Sequence, residues 1–130
     1  TQTLDYAAIL SEAQNCIQHP VNAGVFKLES TQQAFNELSI ASAHNQQQGI
    51  FIIDRLIVEH DQIHIIDYKT EPLKDQQAAQ LEASKHLAQL QQYAQALAPI
   101  YPQRRIRGSI LFTHGPFLVD LALKSQEQGQ

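Results

Sequence analysis

Methionine and tryptophan are absent from this 130-residue chain, and cysteine occurs once, at Cys16. One cysteine excludes a disulfide framework, a cysteine-rich zinc site and a four-cysteine iron–sulfur cluster within the chain. No apolar run approaches the ~18 residues that a membrane-spanning helix needs. No basic-then-apolar leader opens the sequence. Positive charge is scarce, with 9 Lys and Arg against 13 Asp and Glu and a net charge of −4. That balance argues against a protein that merely coats nucleic acid, which usually carries a basic stripe. It leaves room for a nucleic-acid enzyme, which concentrates carboxylates at a metal site and can draw basic surface from other domains. Charged residues make up 17% of the chain, against ~25% in an average domain. Glutamine fills the gap at 20 positions. The expectation is a soluble, cytoplasmic protein with no membrane partner.

The length suits one domain, residues 1–130, with a polar and flexible tail over 124–130. The chain opens directly in a helical pattern, with Tyr6, Leu10, Ala13 and Ile17 on one face. His19-Pro20 stops it, because the residue before proline disfavours the α region. Such an opening suggests a fragment of a longer protein. Residues 34–43 read as a first strand and 44–49 as a polar turn. Ile50–Val58 is rich in β-branched residues and reads as a central strand buried on both faces. After the short polar link Glu59–Gln62, Ile63–Thr70 is a third strand, completing an antiparallel meander. Asp75–Ala98 reads as one long helix with the apolar stripe Ala83, Leu87, Leu90, Ala94 and Leu97, ended by Pro99 and Pro102. Two more strands follow, Ile106–Thr113 and Phe117–Leu123, joined by a turn at His114-Gly115-Pro116. The order α-β-β-β-α-β-β makes an α/β sheet with helix cover.

Charge stands inside the two most hydrophobic strands. Asp54 follows Ile50–Ile53, and Asp67 follows Ile63–Ile66. A buried unpaired carboxylate is costly, and pairing of Asp54 with Arg55 or another base is the bland account. Symmetric pairing through the Glu59–Gln62 turn, however, sets Asp67 opposite Asp54. Two carboxylates ~5 Å apart repel by roughly 3 kcal/mol at an effective dielectric near 20, and a divalent cation turns that repulsion into binding. Oxygen ligands with open positions suit magnesium or manganese. Strand alternation puts Lys69 on the face of Asp67 and Tyr68 on the other. The Lys69 ammonium can orient an attacking water and support charge on a phosphoryl group; the alternative is a lysine that only neutralises Asp67. An acid-x-Lys triplet alone is weak, and its context carries the weight.

Gln89 and Tyr93, spaced i, i+4, share a helix face, where they either contact a phosphate or base or are an ordinary surface glutamine and half-buried tyrosine. The six histidines form no metal-ligand pattern; His60 and His64 fall in a turn and a strand. Arg104, Arg105 and Arg107 are either a backbone-contacting basic cluster or a solvated edge. Cys16 reads as a small core residue.

Taken together, Asn36-Glu37-Leu38, Gly49–Leu56 with Asp54-Arg55-Leu56, Ile65–Thr70 with Asp67-Tyr68-Lys69-Thr70, Gln89–Leu97 and Tyr101-Pro102 resemble the PD-(D/E)xK nuclease superfamily. Within it they resemble the RecB/AddA-type nuclease domain at the C-terminal end of ATP-dependent DNA helicase–nucleases. The order and spacing agree from about Pro20 to Phe117. The resemblance implies a restriction-endonuclease-like mixed sheet flanked by helices and a magnesium- or manganese-dependent exonuclease-type deoxyribonuclease acting in double-strand-break repair and recombination. It implies Asp54 and Asp67 as metal ligands, Lys69 as the catalytic lysine and Glu37 as an accessory acid. Gln89 and Tyr93 would be the motif of this branch, with Arg55 as a supporting or DNA-contacting residue. DNA, helicase domains of the same parent chain and partner subunits are the implied partners. Members of this family usually carry a further metal-binding histidine on an upstream helix. No Gly-x-x-x-His segment stands here, and His19, at a helix end before proline, fits that role badly. The chain is therefore expected to begin after that helix, leaving the isolated piece with an incomplete metal site. The ATP-binding Gly-x-x-x-x-Gly-Lys-Ser/Thr loop is absent, as are the cysteines that hold an iron–sulfur cluster in some relatives. A non-catalytic DNA- or partner-binding module on the same scaffold is the alternative.

Overall fold

The computed structural model describes residues 6–42 and 49–124. The expected turn at 44–49 and tail at 124–130 therefore lie, except for Gly49 and Lys124, outside the described residues. Helix α1 spans Tyr6–Gln18 and ends where His19-Pro20 requires. The His19 Nδ1 accepts the Val21 N–H at 3.2 Å and opens a 3-10 turn, Pro20–Asn22, that leads into the short helix α2, Ala23–Phe26. Neither element was expected. Asn22, fully buried, donates from Nδ2 to the Cys16 carbonyl at 2.7 Å and fastens the turn to α1.

Five strands follow the expected order: β1 Gln33–Ser42, β2 Gly49–Val58, β3 Gln62–Lys69, β4 Arg105–Phe112 and β5 Phe117–Leu121. They form one mixed sheet in the order β1-β2-β3-β4-β5. β1–β2, β2–β3 and β4–β5 are antiparallel, while β3–β4 is parallel. A parallel pair needs a long crossover, and helices α3, Gln76–Ser84, and α4, Leu87–Leu97, supply it. The fold is α/β, and among the described residues it is a mixed five-stranded sheet with four α-helices.

Three expectations need correction. The stretch 75–98 is two helices, not one. At the break, Lys85 and His86 donate to Glu82 and Ala83, three residues back, and the Ser84 hydroxyl bonds the Leu81 carbonyl; such local side-chain bonding competes with the helical ladder. The break lets α3 lie along β5 while α4 crosses β1 and β3. Secondly, β2 is buried only in its second half; Ile50 and Ile52 are 73% and 56% exposed. Its first half pairs with β1 but has left β3. Thirdly, α1 turns Cys16 to the sheet and leaves Leu10 and Ile17 largely exposed, since helical period identifies an apolar stripe and not the partner that covers it.

The sheet has two unequal faces. One packs Ile53, Leu56, Ile63, Ile65 and Ile110 beneath Leu90, Ala94 and Leu97 of α4. The other gathers Cys16, Val25, Ile57, Ile66 and Leu111. Close approach of α4 to β4 depends on Gly108, where a Cβ would stand 2.9 Å from Leu123 and 3.2 Å from Leu90.

β3 and β4 also share a buried polar link, in which the His64 Nε2 lies 2.7 Å from the Ser109 hydroxyl, itself bonded to Asp120. Burial first, then the Arg107 guanidinium, push the His64 pKa down from 6.5 to about 4, with Asp120 and Glu59 pulling weakly upward. A histidine whose folded pKa is depressed leaves stability intact above pH ~6.5 and drains it as pH falls toward 4, by about 3 kcal/mol in all. His64→Gln should flatten that acid limb, so that urea unfolding at pH 7 and pH 4.5 differs much less in the variant than in the wild type; equal acid losses would refute the assignment.

Candidate active site

The site begins with an irregularity in two strands. In β2, Phe51 and Ile53 point to the α4 face, and so do Leu56 and Val58. Residues of opposite parity share a face, so the alternation slips between 53 and 56. β1 slips at the same rung: Ala34 packs on the α1–α2 face, whereas Leu38 and Ile40 pack on the α4 face. The register is unchanged on either side, with Asn36 opposite Arg55 and Leu38 opposite Ile53. The skipped rung is Glu37 and Asp54. Glu37 adopts φ 51°, a left-handed conformation that costs a non-glycine residue of order 1 kcal/mol.

β2 then separates from β3. Their ladder runs from Val58–Ile63 to Arg55–Ile66, the register that a symmetric turn implies, and stops one rung short of Asp54 and Asp67. At this fork the Asp54 Oδ2 accepts the Tyr68 backbone N–H at 2.8 Å. A side chain thus replaces the lost strand pairing, and the Asp54 carboxylate stands close enough to Asp67 to raise its pKa.

Asp67 is buried, and Lys69 Nζ lies 3.1 Å from its Oδ2. Its Oδ2 is enclosed, yet among the described residues no donor is aligned with it for a hydrogen bond. Burial and the Asp54 contact raise the Asp67 pKa, and the Lys69 ammonium offsets part of that rise. A buried carboxylate with an unsatisfied oxygen, facing a second carboxylate, is a donor set that fits a hard divalent cation. Lys69, about a quarter exposed, reaches the same point from the end of β3. Its carbonyl accepts the Thr113 N–H at 2.9 Å, which ties the strand end to the start of the β4–β5 turn.

Tyr93 is buried in α4, against the ring of Phe51 at 5.6 Å between centroids. Burial, then the charges of Asp67 and Asp54, push its phenol up, so it stands beside the carboxylates as part of the core and not half-exposed. Gln89, one turn earlier, is exposed. Glu37 is also exposed, opposite Asp54 on the skipped rung. Arg55 lies on the opposite face. Its Nε donates to the Val25 carbonyl at 2.9 Å, its guanidinium to Asn36 Oδ1 at 2.8 Å, and it stacks over Phe26 at 5.3 Å. These partners occupy Arg55 in fastening α2 and β1 to the strand that carries Asp54.

The structure thus brings together Asp54, Asp67, Lys69 and Tyr93. The arginine cluster is elsewhere: Arg105 is level with Gln62, seven residues or ~23 Å along β3 from Lys69, and is bonded to the Gln62 side chain at 2.9 Å. Arg104 stacks on Tyr101, and Arg107 pairs with Asp120 at 3.6 Å. His19 caps a turn. Sequence reasoning missed Phe51 and Thr113, whose roles depend on contacts between strands and helices far apart in the chain; the only local signal was an aromatic residue three positions before Asp54.

A search of curated proteins finds no match to this sequence. Among solved structures, the chain is similar to the crystal structure of protein VC1899 from Vibrio cholerae, at 14% identity and a TM-score of 0.42, covering 88% of this chain and 23% of that one. The family model of the PD-(D/E)XK nuclease superfamily matches residues 49–129, from β2 onward, and so includes Asp54, Asp67, Lys69, Gln89 and Tyr93 but not Glu37. That segment is well over half of the sequence, and the chain belongs to the PD-(D/E)XK nuclease superfamily.

Proposed function

We propose that this domain hydrolyses DNA phosphodiester bonds with magnesium or manganese, as the exonuclease-type module of a RecB/AddA-type helicase–nuclease in double-strand-break repair. The observation that carries this reading is the meeting of the Asp54 and Asp67 carboxylates at the strand fork, with Lys69 3.1 Å from Asp67. Asp54 and Asp67 would hold the cation. When bound, the cation supplies Lewis acidity to the scissile phosphate and lowers the pKa of water.

The remaining work belongs to the chain. Asp54 has one oxygen fixed by the Tyr68 N–H, which orients its other oxygen. Lys69 carries a positive charge beside the carboxylates, placed to orient water and to stabilise negative charge developing on a phosphoryl oxygen. Tyr93 and Phe51 form an aromatic wall that keeps the carboxylates partly desolvated. Glu37, on the same skipped rung as Asp54, would be an accessory acid on the exposed side. Gln89 lies on the outer surface of α4, where a DNA backbone or a neighbouring domain of the parent chain would contact it. ATP hydrolysis and unwinding would belong to helicase domains outside these residues. Among the described residues no helix is long and apolar enough to cross a membrane.

Two measurements test the reading. With end-labelled DNA and magnesium, Asp67→Asn should lower cleavage by at least about a hundredfold. Lys69→Ala should do the same while retaining metal binding by calorimetry. Cleavage unchanged in both variants would leave a non-catalytic binding module as the account. The second measurement is the pH dependence of manganese affinity. The Asp67 carboxyl has a raised pKa, so a proton competes with the cation. Affinity should fall about tenfold per pH unit below that pKa and level off above it. Without metal the sign reverses for stability: a raised carboxyl pKa favours the folded state at low pH and costs stability as pH rises through it. Asp67→Asn should therefore unfold at a higher temperature than the metal-free wild type at pH 8.

A further inference from the structure

We propose that Glu71, Glu82 and His86 form a second, separate metal site, of zinc or similar transition-ion class, that fastens the α3–α4 break to the segment leaving β3. The three come from different places. Glu71 lies two residues beyond Lys69, Glu82 is in the last turn of α3, and His86 is the N-cap of α4. One ligand atom from each falls within 4.8 Å of the others. The His86 Nε2 is 4.0 Å from Glu71 Oε1, and a carboxylate oxygen of Glu82 lies within 4.8 Å of both.

Two features separate this cluster from ordinary surface charge. The His86 Nε2 atom is fully enclosed and has no hydrogen-bond partner, although its ring retains 22% exposure. A buried ring nitrogen normally finds a partner, and an orphan calls for explanation. Two carboxylates also face each other around it, with one cation near: Lys85 Nζ at 3.0 Å from Glu82. That ammonium is 70% exposed and is free to swing into water. An imidazole nitrogen with two carboxylate oxygens is a donor set for zinc or manganese, with a fourth position left to solvent; magnesium rarely takes nitrogen.

The placement suggests what the ion does. The i→i−3 turn at 84–86 interrupts a sequence that is helical in period throughout. An ion between Glu82, His86 and Glu71 would fix the angle of that interruption. It would hold the exit of β3, and so the main chain after Lys69, against the start of the helix that carries Tyr93. The site uses none of Asp54, Asp67 or Lys69, so it stands or falls independently of the nuclease reading.

The test removes the first site and probes the second. In an Asp54→Asn, Asp67→Asn background, zinc titration by calorimetry should still give one ion per chain and raise the unfolding temperature. Adding His86→Gln should weaken that binding by at least about tenfold and abolish the thermal shift. Glu71→Gln, at a half-exposed position, should act in the same direction and decides the question if the histidine variant does not fold by circular dichroism. X-ray absorption of the zinc-loaded background protein should show a nitrogen ligand. Loss of zinc binding in the background itself would overturn the proposal, as would binding that neither His86→Gln nor Glu71→Gln weakens.

Discussion

Everything at the candidate site depends on the fork where β2 leaves β3. A sheet that stayed paired would satisfy the Tyr68 N–H with a backbone carbonyl and would leave Asp54 as a charged side chain on a regular strand. Because pairing stops at Arg55–Ile66, the Asp54 carboxylate takes over that donor at 2.8 Å. One hydrogen bond therefore terminates the ladder, fixes a carboxylate and brings it against Asp67. The slip of alternation in β1 and β2 at the same rung serves the same end. Two strands that shift together keep their register, so the cost falls on one left-handed residue, Glu37, and not on the β1–β2 pairing.

The two faces of the sheet divide the labour. The α4 face carries the carboxylates, Lys69 and Tyr93. The opposite face carries Arg55, which holds β1, β2 and α2 together through the Val25 carbonyl, Asn36 and Phe26. A strand that holds one carboxylate close to another on one side needs rigid support on the other, or the like charges would separate. Adjacent residues Asp54 and Arg55 thus lie on opposite sides of one strand, Asp54 at the fork and Arg55 in the anchoring contacts.

Much of this was legible in the sequence because it is local. The β2–β3 register follows from a short symmetric turn, and it gave the Asp54–Asp67 opposition; strand parity gave Lys69 beside Asp67. What was not legible is what depends on distant parts of the chain. A helical period cannot say that Ser84 and His86 interrupt the 75–98 stretch. β-branched content cannot say that Ile50 and Ile52 lie beyond the point where β3 ends its pairing. The three arginines are close in sequence, but the parallel β3–β4 register sends them to the end of the sheet opposite Lys69. Tyr93 was visible as a helix position, while its burial against Phe51 required knowing where α4 crosses β2.

Raised proton affinity at Asp67 and lowered proton affinity at His64 come from the same cause, burial, acting on groups of opposite charge type. Their consequences are opposed as well. His64 makes the fold weaker as acid is added, while Asp67 makes the metal-free fold weaker as acid is withdrawn. His64 has its partner in Ser109, which is bonded in turn to Asp120, a network that links β3, β4 and β5. Asp67 has an oxygen that faces the Lys69 ammonium but accepts no hydrogen bond among the described residues. In a well-packed sheet a leftover buried oxygen is retained only at a cost in stability, and a cation at the fork is the ligand whose charge and preference for oxygen would remove that cost. On the proposed reading, a cost in stability without metal and an affinity for metal at Asp67 would be two measures of a single arrangement of charge.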